Sequence, residues 1–252
     1  MRTKKTARRH PQRLACIAFA ACAAGAVHAG EPGWDWTVEP YLWASTIRTN
    51  LQTDEPPTEV ETETTFPEVV NKLDGALLLR IEGRGDHVGA FVDFIYLGVS
   101  QERPRRVMTL RTDLDTRLLD AAVSWRPGGR RDAGLDLFAG LRHADIDLNA
   151  RFTPDNPEFQ ARSLHLERSY SDFLFGARYT WAFNERWGLA VHADASQGET
   201  DGTWSASAMA SYRTRRGAWS FGYRHMEIEV DNAVLDTTVT MTGPQVGYGF
   251  KF

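Results

Sequence analysis

His192, Asp194 and Ser196 alternate along one short stretch of chain, and a histidine, a carboxylate and a hydroxyl are the groups of a nucleophilic relay. Two residues apart on a strand they share a face but lie ~6.6 Å from one another along it, whereas proton transfer needs contact at ~2.6 to 3.2 Å. They can act together only if their side chains lean towards one another or if Asp172 joins from the neighbouring strand. The spacing favours a structural role over catalysis, and no catalytic residue is assigned.

The elements that carry these residues read as strands. From residue 75 onwards the chain alternates in segments separated by turn-rich breaks, without a helical period of useful length. Phe173, Phe175, Ala177, Tyr179, Trp181 and Phe183 alternate with Asp172, Leu174, Gly176, Arg178 and Thr180. Trp187, Leu189, Val191, Ala193 and Ala195 alternate with Gly188, Ala190, His192, Asp194 and Ser196, and Trp204 to Arg213 behaves alike. A soluble sandwich also alternates, but its outward face is polar and its apolar faces carry fewer interfacial aromatics. Apolar faces rich in aromatics suit a wall with lipid outside and water inside. Trp204 and Tyr212 would stand ~20 Å apart along a membrane normal at ~3.3 Å per residue and ~40° tilt, close to the spacing of two aromatic girdles.

With the aromatic face outside, parity places Glu39, Arg80, Glu82, Asp93, Asp120, Asp136, Arg142, Asp172, Arg178, His192, Asp194, Arg224 and Lys251 inside. Seven acids face five permanent bases and a histidine, and this near balance predicts mutual pairing in a narrow wet lumen. A selective pore tends instead to carry one dominant sign.

The N-terminus points to export. Residues 1 to 13 carry Arg2, Lys4, Lys5, Arg8, Arg9 and Arg13 and no acid. Leu14 to Val27 form an apolar run too short to anchor, ending in Val27-His28-Ala29. These are the three parts of a secretory signal peptide, residues 1–29, with cleavage expected after Ala29 and a single domain in residues 30–252. Both cysteines, Cys16 and Cys22, lie inside it, so disulfides, a thiol nucleophile and a thiolate metal site are not expected in the mature chain. No cofactor and no metal is assigned. Lipidation at Cys22, behind the poor box Phe19-Ala20-Ala21, is the rival processing route. Without the six leading bases, 23 Lys and Arg face 33 Asp and Glu, a net of −10, which argues against nucleic acid as a partner. No later stretch approaches eighteen consecutive apolar residues, so any membrane crossing falls to strands.

The last eight residues put Phe252, Phe250, Tyr248 and Val246 on one face and Lys251, Gly249, Gly247 and Gln245 on the other. With Gln245, Gly247, Phe250 and Phe252 at its marker positions, this segment resembles the C-terminal assembly signal of bacterial outer-membrane β-barrels. Over about residues 34 to 252 the chain resembles small single-chain barrels of the outer-membrane protein A and W types. Glu39-Pro40-Tyr41-Leu42-Trp43 and Gly222-Tyr223-Arg224 are similar to segments of a subfamily to which no defined activity attaches. The resemblance implies an all-β antiparallel transmembrane barrel in the bacterial outer membrane, surrounded by lipid and lipopolysaccharide. It also implies biogenesis through periplasmic chaperones and the barrel-assembly machinery, and a monomer.

Ten strands are expected, at about 35–48, 75–85, 87–101, 107–126, 133–151, 166–184, 186–198, 203–214, 218–231 and 236–252, with an eight-strand merger as the alternative. Short periplasmic turns follow the even-numbered strands and longer or more polar external loops the odd ones. Trp36, Trp125, Trp181, Trp187, Tyr212, Trp219 and Phe252 then fall at the periplasmic ends of their strands. The first external loop, 49–74, is acidic (Asp54, Glu55, Glu59, Glu61, Glu63, Glu68) and holds a candidate helix at 67–73 with Pro67 in the first turn. It reads as a solvated loop, or as a partial plug if folded inward.

Arg103, Arg105, Arg106 and Arg111 cluster near the second external loop, where guanidinium forks would suit lipopolysaccharide phosphates or simply solvent. His143 and His225 are expected at the external girdle. An omptin-like protease needs paired acids and an Asp–His couple at the rim. Asp145, Asp147, Glu227, Glu229 and Asp231 are rim acids without recognisable dyad spacing. A lipid A deacylase needs a histidine two residues before a serine, and His225 is followed by Met226-Glu227. A non-enzymatic structural or interaction barrel is therefore the first reading, a narrow channel for small solutes the second, and an envelope enzyme the last.

Overall fold

The alternating segments run as antiparallel strands in the computed structural model, which describes residues 33–54, 57–105, 108–128, 131–154, 162–232 and 235–252. Residues 1–29, the expected signal segment with its expected cleavage after Ala29, and Cys22 within it lie outside the described residues. In chain order the elements are β1 (Asp35–Trp43), β2 (Thr46–Asp54), β3 (Pro57–Thr64), α1 (Phe66–Lys72), β4 (Leu73–Arg84), β5 (Val88–Arg105) and β6 (Met108–Trp125). There follow β7 (Gly134–Pro154), β8 (Arg162–Ala182), β9 (Trp187–Gly198), β10 (Gly202–Arg213), β11 (Gly217–Asn232) and β12 (Leu235–Lys251).

Each strand from β4 to β12 pairs with the next, and β1 closes the sheet between β4 and β12. Closure leaves the membrane-spanning part without an edge, as a backbone surrounded by lipid requires. β2 continues β1 along the same edge of β12, since Trp43 pairs with Gln245 and Thr46 with Thr242. The two form one stave, and the barrel has ten, so the eight-strand alternative falls.

The outward faces carry the apolar belt. Val38, Leu79, Ile81, Val92, Phe94, Leu119, Val123, Leu137, Leu141, Phe175, Val191, Phe221 and Val246 share it with the aromatic residues at its rims. Trp187 pairs with Tyr212, Tyr212 with Trp219 and Trp219 with Tyr248, so one ring of aromatics crosses four strands at the periplasmic end. Their rings touch at centroid distances of 4.9 Å for Trp187 and Tyr212 and for Trp219 and Tyr248.

The acidic segment 49–74 departs from the loop expected there. Its first half is strand: β2 runs on to Asp54 and β3 returns along it, with Arg48 bonded to Glu63 at 2.7 Å. The cause is the alternation of threonine with glutamate from Thr58 to Thr64, a β-branched pattern that suits a strand wet on one face. The helix forms where Pro67 allows it, and Glu68 caps it by accepting the Thr65 backbone N–H at 2.9 Å. That bond holds the Glu68 carboxyl below its ordinary pKa. α1 packs beside β5, with Val69 buried and most of its other residues exposed. None of its residues lines the lumen cavity or joins the apolar cluster described below.

Much of the expected external loop length is also strand. β5 to β8 are 18 to 21 residues long, whereas β4, β9 and β10 have 12. Two four-stranded walls, β5–β8 and β11–β12–β2–β3, therefore rise on the external side, separated by low rims at β4 and at β9–β10.

Candidate functional site

Parity along the strands brings the predicted charges together inside the barrel, where they pair as donors and acceptors. Arg178 lies across the lumen from β4 and grips Glu82 through two nitrogens, at 2.5 and 3.0 Å. Its Nε and Nη2 also bond Asp136 at 3.0 and 2.8 Å. Arg126 donates to Asp136 at 2.6 Å and Arg84 to Glu82 at 2.7 Å. These forked contacts match the planar guanidinium to two carboxylates at once.

A second cluster lies nearer the external side. Arg142 donates to both oxygens of Asp120 at 2.8 Å and to Asp194 at 2.9 Å. Asp194 also receives the Ser205 hydroxyl at 2.6 Å and contacts His192 Nε2 at 2.8 Å. Asp93 accepts the Tyr41 hydroxyl at 2.7 Å and stands 3.7 Å from Arg224. Arg80 bridges the two clusters, 3.5 Å from both Glu82 and Asp93. Asp172 takes Ser196 and Thr200 hydroxyls at 3.3 and 2.5 Å, and Glu39 accepts the Ser220 hydroxyl. Lys251 faces the periplasmic mouth with Asp35, Asp132 and Arg213.

All thirteen of these charges lie on the lumen side: ten belong to ion-paired clusters, Glu39 and Asp172 bond hydroxyls instead, and Lys251 lines the mouth. The near-balance becomes closer with two further lumen arginines, Arg84 and Arg126, which the sequence reading had not included. Arg84 has the parity of Arg80 and Glu82, and Arg126 that of Asp120, so alternation alone would have found both. Tyr41, also missed, has the parity of Glu39. Gly247 on β12 leaves the room that Glu39 and Tyr41 need: a Cβ there would lie 2.6 Å from Glu39 Oε1 and 2.9 Å from Tyr41 Cβ.

His192, Asp194 and Ser196 do not form one group. His192 and Asp194 do lean together, but Ser196 turns to Asp172 and Ser205 bonds the aspartate. Phe138 stacks on the His192 ring at 4.9 Å, over Gly176, where a Cβ would meet its ring at 2.4 Å. The arrangement orients a histidine without giving it a hydroxyl to activate. Among the described residues no group of three His, Asp or Glu side chains is placed to hold a metal ion.

Above the charges the lumen is apolar. Tyr41, Trp43, Leu118 and Met226 are buried together, and Leu78, Ile95, Ala144, Ile228 and Met241 pack against them. These residues come from opposite sides of the barrel and meet across it. A cavity of about 290 Å³ runs from mouth residues Asp35, Arg131 and Lys251 up to Tyr41, Asp93, Asp120, Asp194 and Arg224, where its lining ends.

At the external girdle His143 contacts Ser171 at 3.0 Å and His225 contacts Thr242 at 2.6 Å, both facing outward as expected there. Higher up, His165 stands 3.3 Å from Asp147 and 3.9 Å from Glu167, an Asp–His couple on the outside of the wall. Arg111 pairs with Asp113 at 3.2 Å, which occupies one member of the arginine cluster. Arg106 and the side chains of Arg103 and Arg105 lie outside the described residues.

The ten-stave antiparallel barrel has an apolar, aromatic-girdled exterior and a charged interior beneath a buried apolar cluster. The fold is that of an outer-membrane β-barrel. The outer-membrane protease OmpT of Escherichia coli superposes with a TM-score of 0.52 at 10% identity, covering 88% of this chain and 97% of that one. The attachment invasion locus protein Ail of Yersinia pestis matches at 0.38 and 9% identity, over 86% of this chain and 99% of its own. The translocator domain of the autotransporter NalP of Neisseria meningitidis matches at 0.42 and 12%, over 91% of each. No protein-family model and no curated protein matches the sequence.

Proposed function

We propose that this chain is a closed, non-enzymatic barrel of the bacterial outer membrane whose working surface is its external rim. The observation that carries this reading is the double barrier in the lumen, a buried ion network under an apolar layer. An ion crossing would have to break bidentate arginine pairs and then pass Trp43, Leu118 and Met226 without water. Residues 1–29 would direct export and be removed after Ala29, and the terminal Gln245, Gly247, Phe250 and Phe252 would serve the assembly machinery. Lipid and lipopolysaccharide surround the belt, and the closed sheet leaves the spanning part self-sufficient as a monomer.

Planar bilayers containing the purified barrel are expected to show no conductance steps across a range of voltages. Deletion of residues 52–72 is expected to leave them silent, because the seal lies in the barrel wall and not in α1. Regular steps from the intact protein would overturn the closed reading in favour of a narrow solute channel.

A further inference from the structure

The two external walls turn apolar faces towards each other above the sealed floor. On the first wall the register aligns Val99, Leu114, Leu148 and Leu166 in one row across β5 to β8. The row below is Leu97, Thr116, Ile146 and Arg168, and below that come Ile95, Leu118, Ala144 and Tyr170 of the floor. On the second wall the rows are Met226, Met241, Ile47 and Thr64, then Ile228, Val239, Thr49 and Thr62. Among the described side chains on these inner faces Arg168 is the only charged one, and it has no ion-pair partner among the described residues.

The cleft is accessible at its β8 side. β9 leaves β8 at the pair Asp172 and Gly198, and from there up to Arg162 β8 has no strand on that edge among the described residues. Leu164 and Leu166 are consequently 58% and 43% exposed although they face inward. The low rim, Gln197 to Gly202, lies beside Ser171 and Trp204 at the external girdle, the level of the outer-leaflet head groups. In the floor, Trp43 Nε1 is a buried donor without a partner among the described residues.

We propose that this cleft binds an anionic amphiphile with a single hydrocarbon chain, received from the outer leaflet over the β9–β10 rim. The chain lies between the leucine row and the second wall, and the anionic head meets Arg168. Charge selects the ligand class: Arg168, the one cation among the described side chains of these apolar faces and next to the lipid head-group level, complements one negative group at the end of a chain. The proposal rests on the lumen being sealed, because the floor gives the cleft its base.

The test uses the full mature barrel in amphipol, so that detergent does not compete, with radiolabelled palmitate as the probe. Saturable binding is expected. Dodecyl sulfate should compete, whereas dodecyltrimethylammonium and dodecanol should compete at least about tenfold less well, because a charge-assisted contact is lost. Arg168→Glu is expected to weaken palmitate binding about tenfold or more and Leu166→Asp to abolish it, while Ser169→Asp, its neighbour on the outer face, leaves it unchanged. The heat-modified gel shift confirms that each variant is folded. No saturable binding, or equal binding by the Arg168→Glu variant, would overturn the proposal. Conductance measured on the same samples separates the two readings: steps with intact binding sink only the sealed lumen, and silence without binding sinks only the cleft.

Discussion

The membrane half and the external half of this barrel are built from the same strands with the same parity, yet their polarity is inverted. Along β7 the inward residues run Asp136, Phe138, Gly140, Arg142 and then Ala144, Ile146, Leu148. The outward residues of that strand run Leu135, Leu137, Ala139, Leu141 and then His143, Asp145, Asp147, Asn149. β6 changes at the same level, from Leu119 to Arg117 outside and from Asp120 to Leu118 inside. No bulge intervenes in these pairings, so the reversal lies in the choice of side chains and not in the backbone. Below the girdle lipid is the outer solvent and charges are driven inward to pair. Above it water is the outer solvent, polar pairs such as Arg117 with Asp145 sit outside, and apolar groups collect within.

The largest effect should come from breaking the inner charges. Arg178→Ala leaves Glu82 and Asp136 without their shared partner inside the barrel, and a loss of ~3–5 kcal/mol in urea unfolding is expected. A variant of unchanged stability would mean that the lumen is wet enough to hold bare carboxylates.

Next in size is a test of the two exteriors on one strand. Phe175→Lys places a charge on the lipid face near the middle of the belt and should cost ~2–4 kcal/mol. Ser169→Lys, six residues away on the same face of β8, should change stability by less than about 0.5 kcal/mol. Equal costs, read from the same unfolding curves, would mean that β8 meets the same solvent at both levels.

The smallest effect belongs to the periplasmic turns, where charges meet water. Arg131 lies 2.6 Å from Asp86 and holds its carboxyl below the ordinary value of 3.8. A depressed folded pKa means that the pairing stabilises the fold above the unfolded carboxyl's pKa and is lost as the pH falls through the lower folded value. The stability difference between the wild type and Asp86→Asn should therefore be constant from neutral pH down to about 5 and shrink only below about 4. A difference that shrinks already near pH 6 would assign it to another group.

Much of this was legible in the residue order. Strand parity counted from Phe252 placed Asp120, Arg142, Asp172 and Asp194 on the lumen side, because a period of two leaves a side chain only two places to go. The short helix was legible from Pro67 and Glu68, whose effects are local. β3 was not, because its alternating threonines and glutamates are equally at home in a wet loop and become strand only when β2 offers a paired edge. The trio of His192, Asp194 and Ser196 shows the same limit. His192 and Asp194 do meet, but the hydroxyls reaching the aspartates come from Ser205 and Ser196 on separate strands, at distances set by register.

The sequence by itself determined which side chains face in and out along the strands from residue 75 onwards, the aromatic girdles and most of the lumen charges, since all of these follow from alternation and residue type along one strand. Only the tertiary structure decided that β1 and β2 make one stave, that Arg178 reaches Glu82 across the lumen, and that Trp43, Leu118 and Met226 pack together above the charges. Those contacts join residues as much as 183 positions apart, and closing the sheet is what brings them within reach.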